Sequence, residues 1–216
     1  MKRTLSKTLS LLLVFAMTFS LFTGLTPSAA AADLTGSGAV VGGDVIKAGG
    51  TYTVAADVTG TITVETNQAV SLVGTGITDN HNGLSIVCTA PGAALTISDL
   101  YISAPSSSAS YNDAAGNNAY NIIRFTGTGN TLTVAGTNVL EAQTGGAAIH
   151  VAADQSLTVN GSGTLYLYKY GEWTAIGGDG SEANGAITID MDEGKLFAKG
   201  SKMGAVIGSG SNCSAV

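Results

Sequence analysis

The chain has 216 residues, 30 of them glycine, with 11% charged residues and a formal net charge of −6. A hydrophobic fraction of 44% in regular alternation is enough to fill a continuous core, which excludes a disordered chain. The acidic balance argues against nucleic acid or anionic lipid as the main partner, and the single composition regime beyond the N-terminus predicts one elongated, non-helical domain.

Residues 1–32 read as a signal peptide. Lys2, Arg3 and Lys7 form a basic region, Leu11 to Leu25 an apolar one, and Pro27 to Ala32 a small-residue stretch with a cut before Asp33. An uncleaved membrane anchor is the rival reading of the same run. Cleavage removes three basic and no acidic residues, leaving six basic against fifteen acidic and a net charge of −9. The mature chain is then expected outside the cell, secreted or wall-associated, with no membrane contact.

Residues 33–60 fit the later pattern poorly. Val45-Ile46, Tyr52-Thr53-Val54 and Val58 look like short strands covering the N-terminal end of a stack, which a repeat protein needs to avoid edge pairing. From residue 61 to 216 a unit of three short strands separated by glycine turns recurs, and this is the pattern of a three-sided β-solenoid. One strand column reads apolar-Thr-apolar: Ile62-Thr63-Val64, Leu95-Thr96-Ile97, Leu132-Thr133-Val134, Leu157-Thr158-Val159 and Ile187-Thr188-Ile189. Alternation sends the aliphatics inward and the threonines outward. The regular threonine face also admits a water-ordering, ice-binding role, although threonine favours any solvent-facing strand.

A second column runs Ile123-Arg124-Phe125, Ile149-His150-Val151, Ile176-Gly177 and Ile207-Gly208. A third runs Leu100-Tyr101-Ile102, Leu140-Glu141-Ala142, Leu165-Tyr166-Leu167 and Leu196-Phe197-Ala198. Between coils lies an aperiodic insertion, Ala104 to Tyr120, with the composition of a surface loop. Near the C-terminus AVIGSGSN echoes AIGGDGSEAN and stops before its second strand, so the coils are expected to be incomplete and the chain part of a longer protein. Cys88 and Cys213, the two cysteines, fall about four coils apart, roughly 19 Å at the strand spacing of a sheet, and are expected as separate thiols.

The units GAAIHVAADQSLTVNGSGTL and AIGGDGSEANGAITIDMDEGKLFAKGSKMGAVIGSG resemble the glycine-rich repeats of bacterial cell-surface right-handed β-helix proteins of Gram-positive anaerobes. These are similar to carbohydrate-binding-domain proteins with a pectate-lyase-like fold. Gly177-Gly178 matches the double glycine of those repeats, whereas His150-Val151 and Gly208-Ser209 depart from it. The resemblance implies a secreted or wall-associated protein that binds extracellular or cell-wall polysaccharide; the expected fold is a right-handed parallel β-helix of about five to six coils, and the chain is expected to be a monomer.

Two groups of residues carry candidate chemistry. Tyr101, Tyr166 and Phe197 fall on the outward positions of the third column, interrupted by Glu141, while Tyr168 and Tyr170 continue that face and Trp173 follows. Exposed aromatic faces can stack on sugar rings, and a neighbouring carboxylate accepts hydroxyl hydrogen bonds. The acidic turn Asp190, Asp192 and Glu193, closed by Gly194, is a candidate site for a hard cation such as Ca²⁺, to which Asp179 and Glu182 add only if the turns approach. Arg124 and His150 share an outward column position and read as a solvated surface pair. No Ser/His/Asp order, zinc spacing or phosphate loop is present. The expected function is a non-catalytic polysaccharide-binding module. A polysaccharide lyase or glycoside hydrolase with its catalytic coils elsewhere, or a passive adhesin stalk, are the alternatives.

Overall fold

The computed structural model describes residues 31–104, 111–112, 118–143, 146–171, 173–200 and 204–210. The segment 1–32, expected to be a signal peptide, lies outside them except for its last two residues, and so does Cys213. The chain opens with two turns that each carry two strands, β1 (Asp33–Leu34) with β2 (Gly38–Val40) and β3 (Val45–Ile46) with β4 (Gly50–Val54). Three-strand coils follow: β5 (Gly60–Val64), β6 (Ala69–Val73) and β7 (Asn80–Asn82), then β8 (Leu84–Cys88), β9 (Ala94–Ser98) and β10 (Tyr101–Ala104). The insertion contributes a hairpin, β11 (Tyr111–Asn112) paired antiparallel with β12 (Asn118–Ala119), so it is not structureless loop throughout.

Coils resume with β13 (Ile123–Phe125), β14 (Asn130–Ala135) and β15 (Thr137–Ala142), continue with β16 (Ile149–His150), β17 (Ser156–Asn160) and β18 (Thr164–Lys169), and then with β19 (Ile176–Gly177), β20 (Ala186–Asp190) and β21 (Lys195–Lys199). A last short strand, β22 (Ile207–Gly208), starts a further turn.

Outside the β11–β12 hairpin, each strand pairs in parallel with its counterpart one coil away, which builds three sheets. An eight-stranded sheet is ordered β1-β3-β5-β8-β13-β16-β19-β22, a seven-stranded one β2-β4-β6-β9-β14-β17-β20, and a five-stranded one β7-β10-β15-β18-β21. The protein is a three-sided parallel β-helix. Residues 33–60 continue two of its sheets in register, and the third sheet begins only at β7.

The inward positions form ladders. In the eight-stranded sheet Ile62, Ile86, Ile123, Ile149, Ile176 and Ile207 stack rung on rung, all of them fully buried except Ile207 at the last described turn. Each buried isoleucine contributes about 1.5 to 3 kcal/mol relative to exposure, and no single coil could bury its edge without the next. Cys88 sits within the core between Val64 and Phe125 as a free thiol, pushed up to about 12 by burial.

Register departs from the motif alignment in three places. Ile62-Thr63-Val64 belongs to the eight-stranded sheet, paired with Ile86-Val87-Cys88, and the rung beneath Leu95-Thr96-Ile97 is Val70-Ser71-Leu72. Between β14 and β17 the pairing is shifted by two residues, so that Leu157 stacks on Asn130 and Val159 on Leu132. The threonines therefore form two short runs, Thr96 with Thr133, and Thr131 with Thr158 and Thr188.

The same shift occurs in the five-stranded sheet. Tyr101 pairs with Val139 and Val139 with Tyr166, whereas Glu141 lies between Ser103 and Tyr168. The cause is visible at the corners. Asn130 and Asn138 take inward positions and are buried, bonding main-chain groups that the bends leave unpaired: Asn130 Oδ1 accepts the Ala93 N–H at 3.1 Å and Asn138 Oδ1 the Leu100 N–H at 3.1 Å.

Candidate functional site

The outward face of the five-stranded sheet carries most of the aromatic residues singled out in the sequence. On β18, Tyr166 and Tyr168 alternate with the buried Leu165 and Leu167, and Tyr170 follows just beyond the strand, 52% exposed. Their ring centroids are 6.4 Å apart for Tyr166 and Tyr168 and 6.2 Å apart for Tyr168 and Tyr170, with planes within 7° and 20°. This is the two-residue repeat of a strand read out as a row of parallel rings.

One rung along, Phe197 lies 5.0 Å from Tyr166 with planes 10° apart. Coplanar rings cannot approach so closely without overlap of their edges, so this pair is offset-stacked face to face. That corrects the expectation of ring faces turned outward. Between these two rungs the faces are turned to each other, and Phe197, which is 49% exposed, stands on β21, the last described strand of that sheet.

The rung of Tyr168 carries Lys199 instead of a further ring, and the Lys199 ammonium stands 6.0 Å from the Tyr170 centroid. Here the surface dips into an open depression of 470 Å³ lined by Tyr166, Tyr168, Leu196, Phe197, Ala198 and Lys199. On the other side of the row the Tyr101 hydroxyl donates to Glu141 Oε2 at 3.0 Å. Burial first, and then the Glu141 carboxylate, raise both the Tyr101 and Tyr170 phenols above their ordinary value. A carboxylate and an ammonium thus flank four stacked or aligned rings.

Trp173 is not part of this row. It stands in a turn with a positive φ of 85°, and its ring lies over Gly180, where an added Cβ would run into the indole. It therefore packs at the corner leading to β19.

The acidic turn is not gathered either. Asp190, Asp192 and Glu193 are exposed, and they form no three-ligand group among the described residues. The residues that do converge are His150, Asp179 and Glu182, whose ligand atoms all lie within 4.8 Å of one another. His150 pairs in register with Arg124 and Gly177 as expected, but it is 2% exposed and no surface residue. The loop after β19 closes over it: Ser181, at φ 59°, turns the chain back so that Glu182 Oε2 reaches His150 Nε2 at 2.7 Å.

Asp179 Oδ2 is 3.6 Å from the same nitrogen, while Asp179 Oδ1 accepts the Ala147 N–H at 2.5 Å and the Asn121 Nδ2–H at 3.0 Å. Burial alone would raise the Glu182 carboxyl. Its hydrogen bond to His150, the Asp179 N–H at 3.1 Å, and the charges of His150 and Arg124 together hold it below its usual range. The sequence signal for this cluster was the pair Asp179 and Glu182 in a glycine-rich turn. What linked them to His150, about thirty residues earlier, was the coil period.

Set against models of known protein families, curated proteins and solved structures, the chain finds no match.

Proposed function

We propose that the protein is a non-catalytic polysaccharide-binding module that acts outside the cell, and that the outward face of the five-stranded sheet is its binding surface. The observation that carries this reading is the open depression where Tyr166, Tyr168 and Phe197 meet Lys199, with Glu141 and Tyr170 beside it. Their outward side chains lie opposite the buried Leu165, Leu167 and their neighbours, so this face is not needed to close the core.

Pyranose rings have apolar C–H faces and polar rims. The face of Phe197 turned away from Tyr166 suits the former, and the phenol hydroxyls of the aligned tyrosines, Glu141 and Lys199 suit the latter. The net acidity of the chain fits neutral or basic glycans better than strongly acidic ones.

The test is the joint replacement of Tyr166, Tyr168 and Phe197 by Ser. Retention on insoluble polysaccharide should be lost, with each contact worth about 1 kcal/mol, while the chain should keep its β-sheet circular dichroism and melt lower only by the loss of the Tyr166–Phe197 stack. If the parent is retained on no glycan of a broad array, the passive-stalk reading takes over.

A further inference from the structure

The corner formed by His150, Asp179 and Glu182 stands away from the aromatic row and plays no part in the proposed glycan contact. His150 and Asp179 are almost wholly shut off from water there, and one imidazole and two carboxylates bring their ligand atoms within 4.8 Å of one another. A buried group of this kind can share a proton or hold a metal ion.

Three observations favour a metal. The three atoms His150 Nε2, Asp179 Oδ2 and Glu182 Oε2 already converge, with Nε2 2.7 Å and 3.6 Å from the two carboxylate oxygens. Ligands spaced about 3 Å apart surround an ion bound at about 2.0 to 2.2 Å.

The carboxylates are also held from behind, Asp179 by Asn121 Nδ2 and the Ala147 N–H, and Glu182 by the Asp179 N–H. This is the outer-shell support that fixes ligands in metal sites.

Finally, Asn121, 1% exposed, keeps its Oδ1 without a hydrogen-bond partner among the described residues, although its amide nitrogen is bound to Asp179. A buried acceptor of this kind costs about 1 to 3 kcal/mol if left unpaired. Three protein ligands leave a tetrahedral ion one position for water, and a metal-bound water is a donor of the kind Asn121 lacks.

We propose that His150, Asp179 and Glu182 bind one divalent first-row transition ion, Zn²⁺ by the chemistry of the donors. One imidazole and two carboxylates match its small, four-coordinate demand. Ca²⁺ takes six to eight oxygen ligands, and the corner does not offer them. The ion ties the loop after β19 to β16 and locks two successive coils together.

The experiment uses the full chain stripped of metal by a chelator and dialysed against Zn²⁺ or Co²⁺. One ion per chain should bind, and the melting temperature should rise with Zn²⁺ but not with Ca²⁺. Co²⁺ should give visible absorption bands of a four-coordinate N/O site with no sulfur-to-metal charge transfer.

Either His150→Gln or Glu182→Gln should abolish stoichiometric binding, and Asn121→Ala should weaken it about 10- to 100-fold, as outer-shell changes do. The Co²⁺ spectrum is read on the parent protein, so it stands even if a variant folds poorly. Absence of a one-to-one complex in the parent, a thiolate band, or an ion retained by both His150→Gln and Glu182→Gln would each overturn the proposal.

Discussion

At the scale of single residues, His81 is the side chain whose protonation bears most directly on folding. It occupies the first rung of an inward column that continues as Ile102, Leu140, Leu167 and Ala198, it is fully buried, and neither ring nitrogen has a partner among the described residues. Burial lowers its pKa from 6.5, and the opposing carboxylates of Asp79 and Asp57 do not reverse the direction. The unfolded chain takes up a proton as pH falls through 6.5 while the folded chain does not, so stability is lost progressively below that value. His81→Leu should flatten the stability profile as pH falls below 6.5. Urea titrations of parent and variant at a series of pH values would check this, and parallel profiles would contradict it.

At the scale of strands, the corner asparagines hold the register. Asn138 Oδ1 accepts from the Leu100 N–H of the preceding coil, and its Nδ2 donates to the Ala135 carbonyl at 2.7 Å. Leucine is the residue that alternation would place at this inward rung, opposite Leu165. It would fill the space but leave the buried Leu100 N–H and the half-buried Ala135 carbonyl without this partner, at a cost of about 1 to 3 kcal/mol for a buried group. Asn138→Leu should therefore destabilise the protein by about 2 to 5 kcal/mol, measured by denaturant unfolding, whereas a polar change at the outward Val139 should cost little. A neutral Asn138→Leu would mean that apolar stacking alone sets the pairing. The glycine at the end of β19 works at the same scale: a Cβ on Gly177, at φ 142°, would meet the Gly208 carbonyl oxygen, so the close approach of β19 and β22 depends on its absence.

At the scale of the whole molecule, stability accumulates along the axis, because each coil is covered mainly by its two neighbours. The isoleucine ladder is fully buried from Ile62 to Ile176, whereas β20 and β21 are mostly exposed or half-buried, and Ile189, Phe197 and Ile207 are each more than a third exposed. Native-state hydrogen exchange should report this as a gradient. Amides of β8, β13, β14 and β15 should open with nearly the global free energy, and those of β20, β21 and β22 with markedly less. Uniform protection along the chain would show one cooperative unit instead of a stack.

How much of this was legible in the sequence follows from two periods. Alternation along each strand and glycine turns at coil spacing are local properties, so the solenoid, its inward aliphatics and the shared face of Tyr166, Tyr168 and Phe197 could be read directly from the residues. Register could not. A pattern of period two looks the same after a shift of two, and only the hydrogen bonds of Asn130 and Asn138 to neighbouring coils select one alignment, which moves Glu141 from the rung of Tyr101 to that of Tyr168.

Ring orientation was equally hidden, because whether Tyr166 shows its face to solvent or to Phe197 depends on the neighbouring coil. The buried corner was hidden for the same reason. Asn121, His150, Asp179 and Glu182 are separated by up to 61 residues and meet only because three successive coils stack and a glycine-rich loop folds over them. What is periodic along the chain is therefore determined by the sequence itself. What depends on contacts across coils, where side chains compete for the same hydrogen bonds and the same space, was decided by the tertiary structure.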